Sequence, residues 1–317
     1  MRNNRFKLGL LVVFLIFIAL PVLSQGKVSK TFPAKKLLEI STASGDCIIK
    51  KGAAGKITVD VEIKVRPADA FTPEMDERSD RIKLSEDWSG NASGSVLWTV
   101  TVPPETEIEI ESASGDISVS GLTKEVEIST ASGDVTIEMC KGDFEISTAS
   151  GDIEMEKVEG DFDVSVASGD ISVSDIQGVI EFSTASGDID IKVAKGSFDL
   201  SCASGDIEAD KVEIKENSDF KAASGDIMVK LSSPSQHDLS LSTASGNIML
   251  DYNGNPLKGR FEFEASRHGG HIKAPVAFDE EESFTKHGRD YVRKIIRRSG
   301  DKPLISLESA SGSLILK

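Results

Sequence analysis

The tripeptide Ala-Ser-Gly occurs eleven times in this 317-residue chain, and from Gly115 through Gly133, Gly151, Gly169 and Gly187 to Gly205 its glycine returns at a constant step. After Gly205 the step loosens, to Gly225 and then to Gly246. A fixed short period marks a repeat architecture, in which each unit is completed only by its neighbours. That constraint outranks anything composition can say about the fold.

Aligned copies show what each repeat requires. "VEISTASGDVTIEMCKGD" from Val126 sits above "FEISTASGDIEMEKVEGD" from Phe144, "FDVSVASGDISVSDIQGV" from Phe162 and "IEFSTASGDIDIKVAKGS" from Ile180. The first, third, tenth and twelfth positions are apolar, as in Phe144, Ile146, Ile153 and Met155, and the residues between them are mostly polar. Alternation with period two is the signature of strands with one buried face. Helix fails on that spacing, on the β-branched content and on one or two glycines per repeat. No segment between the strands is long enough for a helical crossover.

The expected fold is therefore all-β: a parallel β-solenoid, or single-stranded β-helix, with about 18 residues per coil. Coils would stack at about 4.8 Å, ten or so making a rod on the order of 50 Å long. A meander of hairpins is the alternative, but strict identity at a constant period favours stacking in register. Ser-Gly-Asp is read as a corner, with a second corner near Gly142, Gly160, Gly178 and Gly196. Gly115, Gly133, Gly151, Gly169, Gly187 and Gly205 supply the positive φ a corner needs. The Ala is expected to point inward, and Ser and Asp to bond nearby backbone amides as in Asx and Ser turns.

Stacking in register would also line up Asp116, Asp134, Asp152, Asp170, Asp188 and Asp206, with Asp46 and Asp226 extending the ladder. Rows of aspartates bind Ca²⁺ in some repeat proteins. Repulsion between adjacent carboxylates about 5 Å apart in water is about 1 kcal/mol. A charge-assisted bond to a backbone N–H contributes about 1.5–3 kcal/mol. The turn role offsets the repulsion without a cation, so the ladder is read as structural, with weak Ca²⁺ binding as the alternative. No catalytic or cofactor-binding residues are assigned. His237, His268, His271 and His287 lie towards the C-terminus, and "RHGGH" at Arg267 reads as a degenerate corner.

Residues 1–24 follow the layout of a signal peptide: Arg2, Arg5 and Lys7, then an apolar run, then Pro21 and Ser24. The expectation is cleavage near Ser24, with no membrane span afterwards. The leader carries three basic and no acidic residues, so its loss takes the net charge from −16 to −19. Such a surface repels phosphate backbones, which excludes nucleic acid as a main partner. Cys47, Cys140 and Cys202 are odd in number and widely spaced, and read as buried thiols rather than a disulfide framework.

Residues 25–317 are read as a single solenoid domain: an irregular N-terminal part over 25–107, regular repeats over 108–250 and an irregular C-terminal cap over 251–317. Within the first part, Arg66 to Asn91 is a polar interruption expected as a loop or strand pair. Within the last, "RDYVRKIIRR" from Arg289 is expected as an edge hairpin or short helix whose basic face lies on the acidic rod, or as a contact for an anionic partner.

"WTVTVPPETEIEIESASGDI" from Trp98, the serial "STASGDI" turns and the closing "ISLESASGSLILK" resemble the bacterial putative adhesin family, domain of unknown function 4097. The resemblance covers most of the chain beyond the leader and implies an exported, non-enzymatic β-strand-repeat protein, with no family catalytic residues to carry over. The functional expectation is an adhesin-like binding or structural surface in the cell envelope, periplasmic, on the outer surface or secreted. Its partner would be a surface ligand such as a glycan or an envelope protein. The alternatives are a scaffold that self-associates end to end and a β-helix carbohydrate-active protein.

Overall fold

The computed structural model describes residues 24–267 and 269–317; the expected leader up to residue 23 and His268 lie outside them. The described residues form twenty-six strands and no helix, paired mostly in parallel, in a solenoid-like stack of rungs. In the central rungs pairing is in register along whole strands. Ile153–Ser168 lies beside Ile171–Ser186, with Ile153 opposite Ile171, Gly160 opposite Gly178 and Phe162 opposite Ile180.

Alternation accounts for the core. Ile153, Met155, Val158, Phe162, Val164 and Val166 are all buried in one rung, and their equivalents follow in the next. Each such side chain contributes roughly 1.5–3 kcal/mol when fully buried. Phe144 stacks on Phe162 with ring centroids 5.2 Å apart, so the aromatic positions form an internal column.

The corners differ from the sequence reading in three ways. Counting by twos from Phe144 sends Ile146 and then Thr148 inward, so Ala149 faces out; Ala131, Ala167, Ala185 and Ala203 are likewise exposed. The Asp carboxylates bond not within their own turn but to the next rung. And there are three bends per rung rather than two. The third is left-handed and carried by non-glycine residues: Met139, Lys157, Asp175, Val193 and Lys211, with φ between 53° and 58°. At the second bend Gly160 has φ 150°, and a Cβ there would sit 1.7 Å from the Gly142 carbonyl oxygen, so rungs approach too closely for any side chain.

Order along the rod departs from order along the chain at both ends. Leu37–Thr42 and Asp46–Lys51 form a rung lying between Glu107–Ser120 on one side and Arg81–Val102 on the other. At the far end Leu304–Ser309 and Leu314–Leu316 are inserted between the rung at 239–251 and the strands Gly259–Ser266 and Ile272–Lys273. Antiparallel strands finish each end. Lys56–Arg66 lies between Ser24–Pro33 and Ser93–Val102, and Phe71–Glu77 pairs with Arg81–Trp88, so the polar interruption is a strand pair. Arg289–Arg298 lies between Gly259–Ser266 and Glu280–Lys286, a hairpin and not a helix.

Candidate functional site

The corner ladder is a continuous hydrogen-bonded chain. The Asp134 N–H donates to Asp116 Oδ1 at 3.1 Å, Asp152 to Asp134 at 2.9 Å, Asp170 to Asp152 at 2.9 Å, Asp188 to Asp170 at 2.8 Å and Asp206 to Asp188 at 2.7 Å. Asp46 extends it on one side; Asp226 and Asn247 extend it on the other, where Asn247 Oδ1 accepts from the Ser313 N–H at 3.0 Å. One oxygen of each carboxylate in the ladder therefore holds the next rung. Beside it the six repeat glycines stack; a Cβ on Gly151 would lie 2.2 Å from the Gly133 oxygen.

The ladder stops at Glu86, a residue the sequence reading left inside the polar interruption. Its carboxylate accepts from the Ala43 N–H at 2.8 Å and from the indole N–H groups of Trp88 at 2.9 Å and Trp98 at 3.0 Å. It thus satisfies the exposed corner of the 37–51 rung, which has no Asp beyond it.

The outward alanines line a long concavity on the described surface. Ser129, Ser147, Ser165, Ser183 and Ser201 form one wall, Ala131, Ala149, Ala167, Ala185 and Ala203 the other, and Thr130, Thr148, Val166, Thr184 and Cys202 the floor. The trough encloses about 1320 Å³ and continues from Ser41 to Lys221. Over those eight rungs its length is about 34 Å at the usual strand spacing. Its hydroxyls lie close together: Ser165 Oγ and Ser183 Oγ are 3.0 Å apart.

Carboxylates flank it. Two residues before the serines runs a column paired in register: Glu109, Glu127, Glu145, Asp163, Glu181 and Asp199. Among the described residues, ion pairs occur only at the ends of this column, from Arg81 and Lys83 to Glu39 and from Lys221 to Asp199 and Asp219. Partial burial, then the neighbouring Glu109 and Glu145, push the Glu127 pKa above the ordinary Glu value. Three residues after the alanines runs the corner ladder.

At the C-terminal end the trough runs into a smaller cavity of about 390 Å³, walled by the hairpin residues Lys286 and Tyr291 and by Glu264 and Glu308. Glu264 is 7 % exposed; Lys286 Nζ donates to it at 2.9 Å and Arg293 at 3.0 Å. Burial pushes its pKa up, but the two donors outweigh burial and hold it below the ordinary Glu value. The rest of the basic segment is spent on its own hairpin, with Arg293 on Glu282, Lys294 on Glu281, Arg297 on Glu280 and Arg298 on Asp279. That leaves little free positive charge there for an anionic partner.

The other sequence candidates do not converge. His271 donates its N–H to Ser313 Oγ at 3.3 Å, which places "RHGGH" on the corner stack, while His237 and His287 lie in separate connections. Among the described residues no group of three His, Cys, Asp or Glu side chains is arranged to hold a metal ion. Cys47, Cys140 and Cys202 are buried and unbridged.

No curated protein matches this chain. Solved structures similar to it include a "putative adhesin" from Parabacteroides distasonis, 13 % identical over 92 % of this chain and 97 % of that one with a TM-score of 0.48. A "putative adhesin" from Bacteroides fragilis is 19 % identical over 72 % and 98 %, with a TM-score of 0.45. A "putative lipid binding protein" from Parabacteroides distasonis is 12 % identical over 92 % and 96 %, with a TM-score of 0.35. The Toastrack DUF4097 family model matches residues 34–219 and 197–304, which together span most of the repeat array, and the chain belongs to that family.

Proposed function

We propose that the protein is an exported, non-enzymatic β-solenoid, one repeat period to the coil, that acts as an adhesin-like binding surface in the cell envelope. The trough is the seat of binding. The observation that carries this reading is one continuous concavity over eight rungs, from Ser41 to Lys221, walled by the same Ser and Ala columns in its five central rungs. A repeated surface of this kind adds weak contacts through effective concentration, whereas catalysis calls for a few rungs that differ from the rest. The Asp ladder is structural in this reading, because each carboxylate already holds the next rung. Antiparallel strands cover the outermost parallel rungs at both ends, which favours this reading over a scaffold of rods joined end to end.

The test is to add purified protein lacking the leader to intact cells and to isolated envelope fractions, and to compare it with a variant whose trough is plugged by Ala149→Trp and Ala167→Trp. Retention of the parent and release of the plugged variant is the expected result. Equal retention, or none for either, would remove the trough as a binding surface. Protease shaving of intact producing cells locates the protein within the envelope.

A further inference from the structure

The proposed binding role leaves the ligand class open, and the trough narrows it. Resting on that reading, we infer that the trough takes an unbranched, uncharged glycan laid along the rod axis, with one end of the glycan against Tyr291 and Lys286. Four observations converge on this.

The first is pitch. Serine positions recur once per rung, at the strand spacing of about 4.8 Å, whereas alternate side chains of an extended peptide recur at roughly 6.6–6.8 Å. A peptide strand laid along the trough loses step with the serines within two or three rungs. The advance of a pyranose chain is of the same order as the rung spacing, so a glycan keeps step for longer.

The second is lining. In the five central rungs the walls are hydroxyl and methyl groups from Ser and Ala, with Cys202 and Val166 on the floor, and Glu111 and Lys221 stand in the serine column on either side of them. No rung opens a deep apolar pocket of the kind that selects peptide side chains. A surface of alternating hydroxyl and methyl suits a ligand that itself alternates hydroxyls and C–H faces.

The third is charge. Carboxylate columns run along both sides, two residues before the serines and three after the alanines. They repel sulfated, phosphorylated or uronic polymers and leave neutral ones unaffected.

The fourth is the closed end, which is not a continuation of the small-residue walls. Lys286, fixed by Glu264, keeps donors free on its ammonium group, which has three. Tyr291 is held by stacking on Phe284, with centroids 5.9 Å apart. Convergent polar groups and an aromatic ring at the end of a groove are the usual means of fixing ligand orientation.

The probes are unbranched hexasaccharides of β-1,4- and β-1,3-linked glucose, β-1,4-linked mannose and β-1,4-linked N-acetylglucosamine, titrated calorimetrically into the protein lacking its leader. Heparin and polylysine serve as charged comparators. Binding of at least one neutral hexamer is expected, weakened tenfold or more by Ala149→Trp and by Ala167→Trp, severalfold by Tyr291→Ala, and unchanged by Met228→Trp, which adds the same bulk outside the trough. Circular dichroism melts confirm that each variant is folded. Plug-sensitive binding of polylysine or heparin without any neutral hexamer would overturn the ligand class and leave the trough as a binding surface. Hexamer binding indifferent to both plugs, or no plug-sensitive binding of any probe, would overturn both. Hexamer binding sensitive to the plugs but indifferent to Tyr291→Ala would overturn the placement of the glycan end.

Discussion

The Asp152 carboxylate accepts a hydrogen bond from the Asp170 backbone N–H at 2.9 Å, and Asp170 treats Asp188 in the same way at 2.8 Å. Each carboxylate is thus both a neighbour's repeller and a neighbour's acceptor. The bond contributes about 1.5–3 kcal/mol, and removing the Asp152 charge relieves about 1 kcal/mol of repulsion from each of its two neighbours, Asp134 and Asp170. Asp152→Ala is expected to cost a net of up to about 1 kcal/mol. Asp152→Asn should be close to neutral, since Asn247 already performs this task for Ser313. Urea denaturation decides it; equal losses for Ala and Asn would remove the ladder from the stability account.

Val193 is a β-branched residue at φ 57° and is 49 % exposed. The left-handed region costs an L-residue about 1–2 kcal/mol, and Asn tolerates it better than Val. Val193→Asn is therefore expected to raise stability by up to about 1 kcal/mol. An unchanged or lowered melting temperature would show that packing at this bend outweighs its backbone strain.

Glu127 and Glu264 respond to pH with opposite sign. Glu264 has its pKa lowered in the folded state, so it contributes stability above the unfolded Glu value, near 4.3, that is lost as pH falls through the folded value. Glu127 has its pKa raised, so its charge opposes folding at neutral pH, and the penalty vanishes as pH falls below the unfolded value. Glu127→Gln should stabilise at pH 7 and make no difference below about pH 4. Glu264→Gln should destabilise at pH 7, by an amount that shrinks on acidification. Melting temperatures across pH 3–7 read both, and parallel curves for variant and parent would refute the assignment.

Ending the chain at Asp301 removes the inserted rung Leu304–Leu316. Residues 252–300 then lose their bridge to the 239–251 rung. Limited proteolysis of the truncated protein should cut within 252–300 first and leave the repeats over 126–231 intact. Resistance equal to the parent would mean that the terminal hairpin docks without the inserted rung.

The sequence made the rungs readable because every rung repeats the same demand. Phe144, Ile146, Ile153 and Met155 announce a two-faced strand, and Gly151 and Asp152 announce a corner that recurs in register. The direction of Ala149 was misread because the bend was placed at the alanine, whereas the alternation continues through Thr148 before the chain turns. That misplacement hid the trough. The left-handed bend carries no compositional signal, since Met139, Lys157, Asp175, Val193 and Lys211 share only their φ. Glu86 occurs once and so has no column to reveal it. The order of the end rungs is silent for the opposite reason: all rungs share one grammar, which does not say which are neighbours.

The inserted end rungs have a kinetic consequence. In the middle of the rod, partners such as Asp134 and Asp152 are 18 residues apart, whereas Asp46 meets Asp116 across 70 and Asn247 meets Ser313 across 66. Contacts between distant residues close slowly, because loop entropy is lost before they form. The nucleus therefore belongs to the central repeats, and structure spreads outward from there. The rung Leu304–Leu316 closes only when those residues are free to thread between two strands already laid down. Pulse-labelling hydrogen exchange during refolding should therefore show protection at Leu314–Leu316 arriving last.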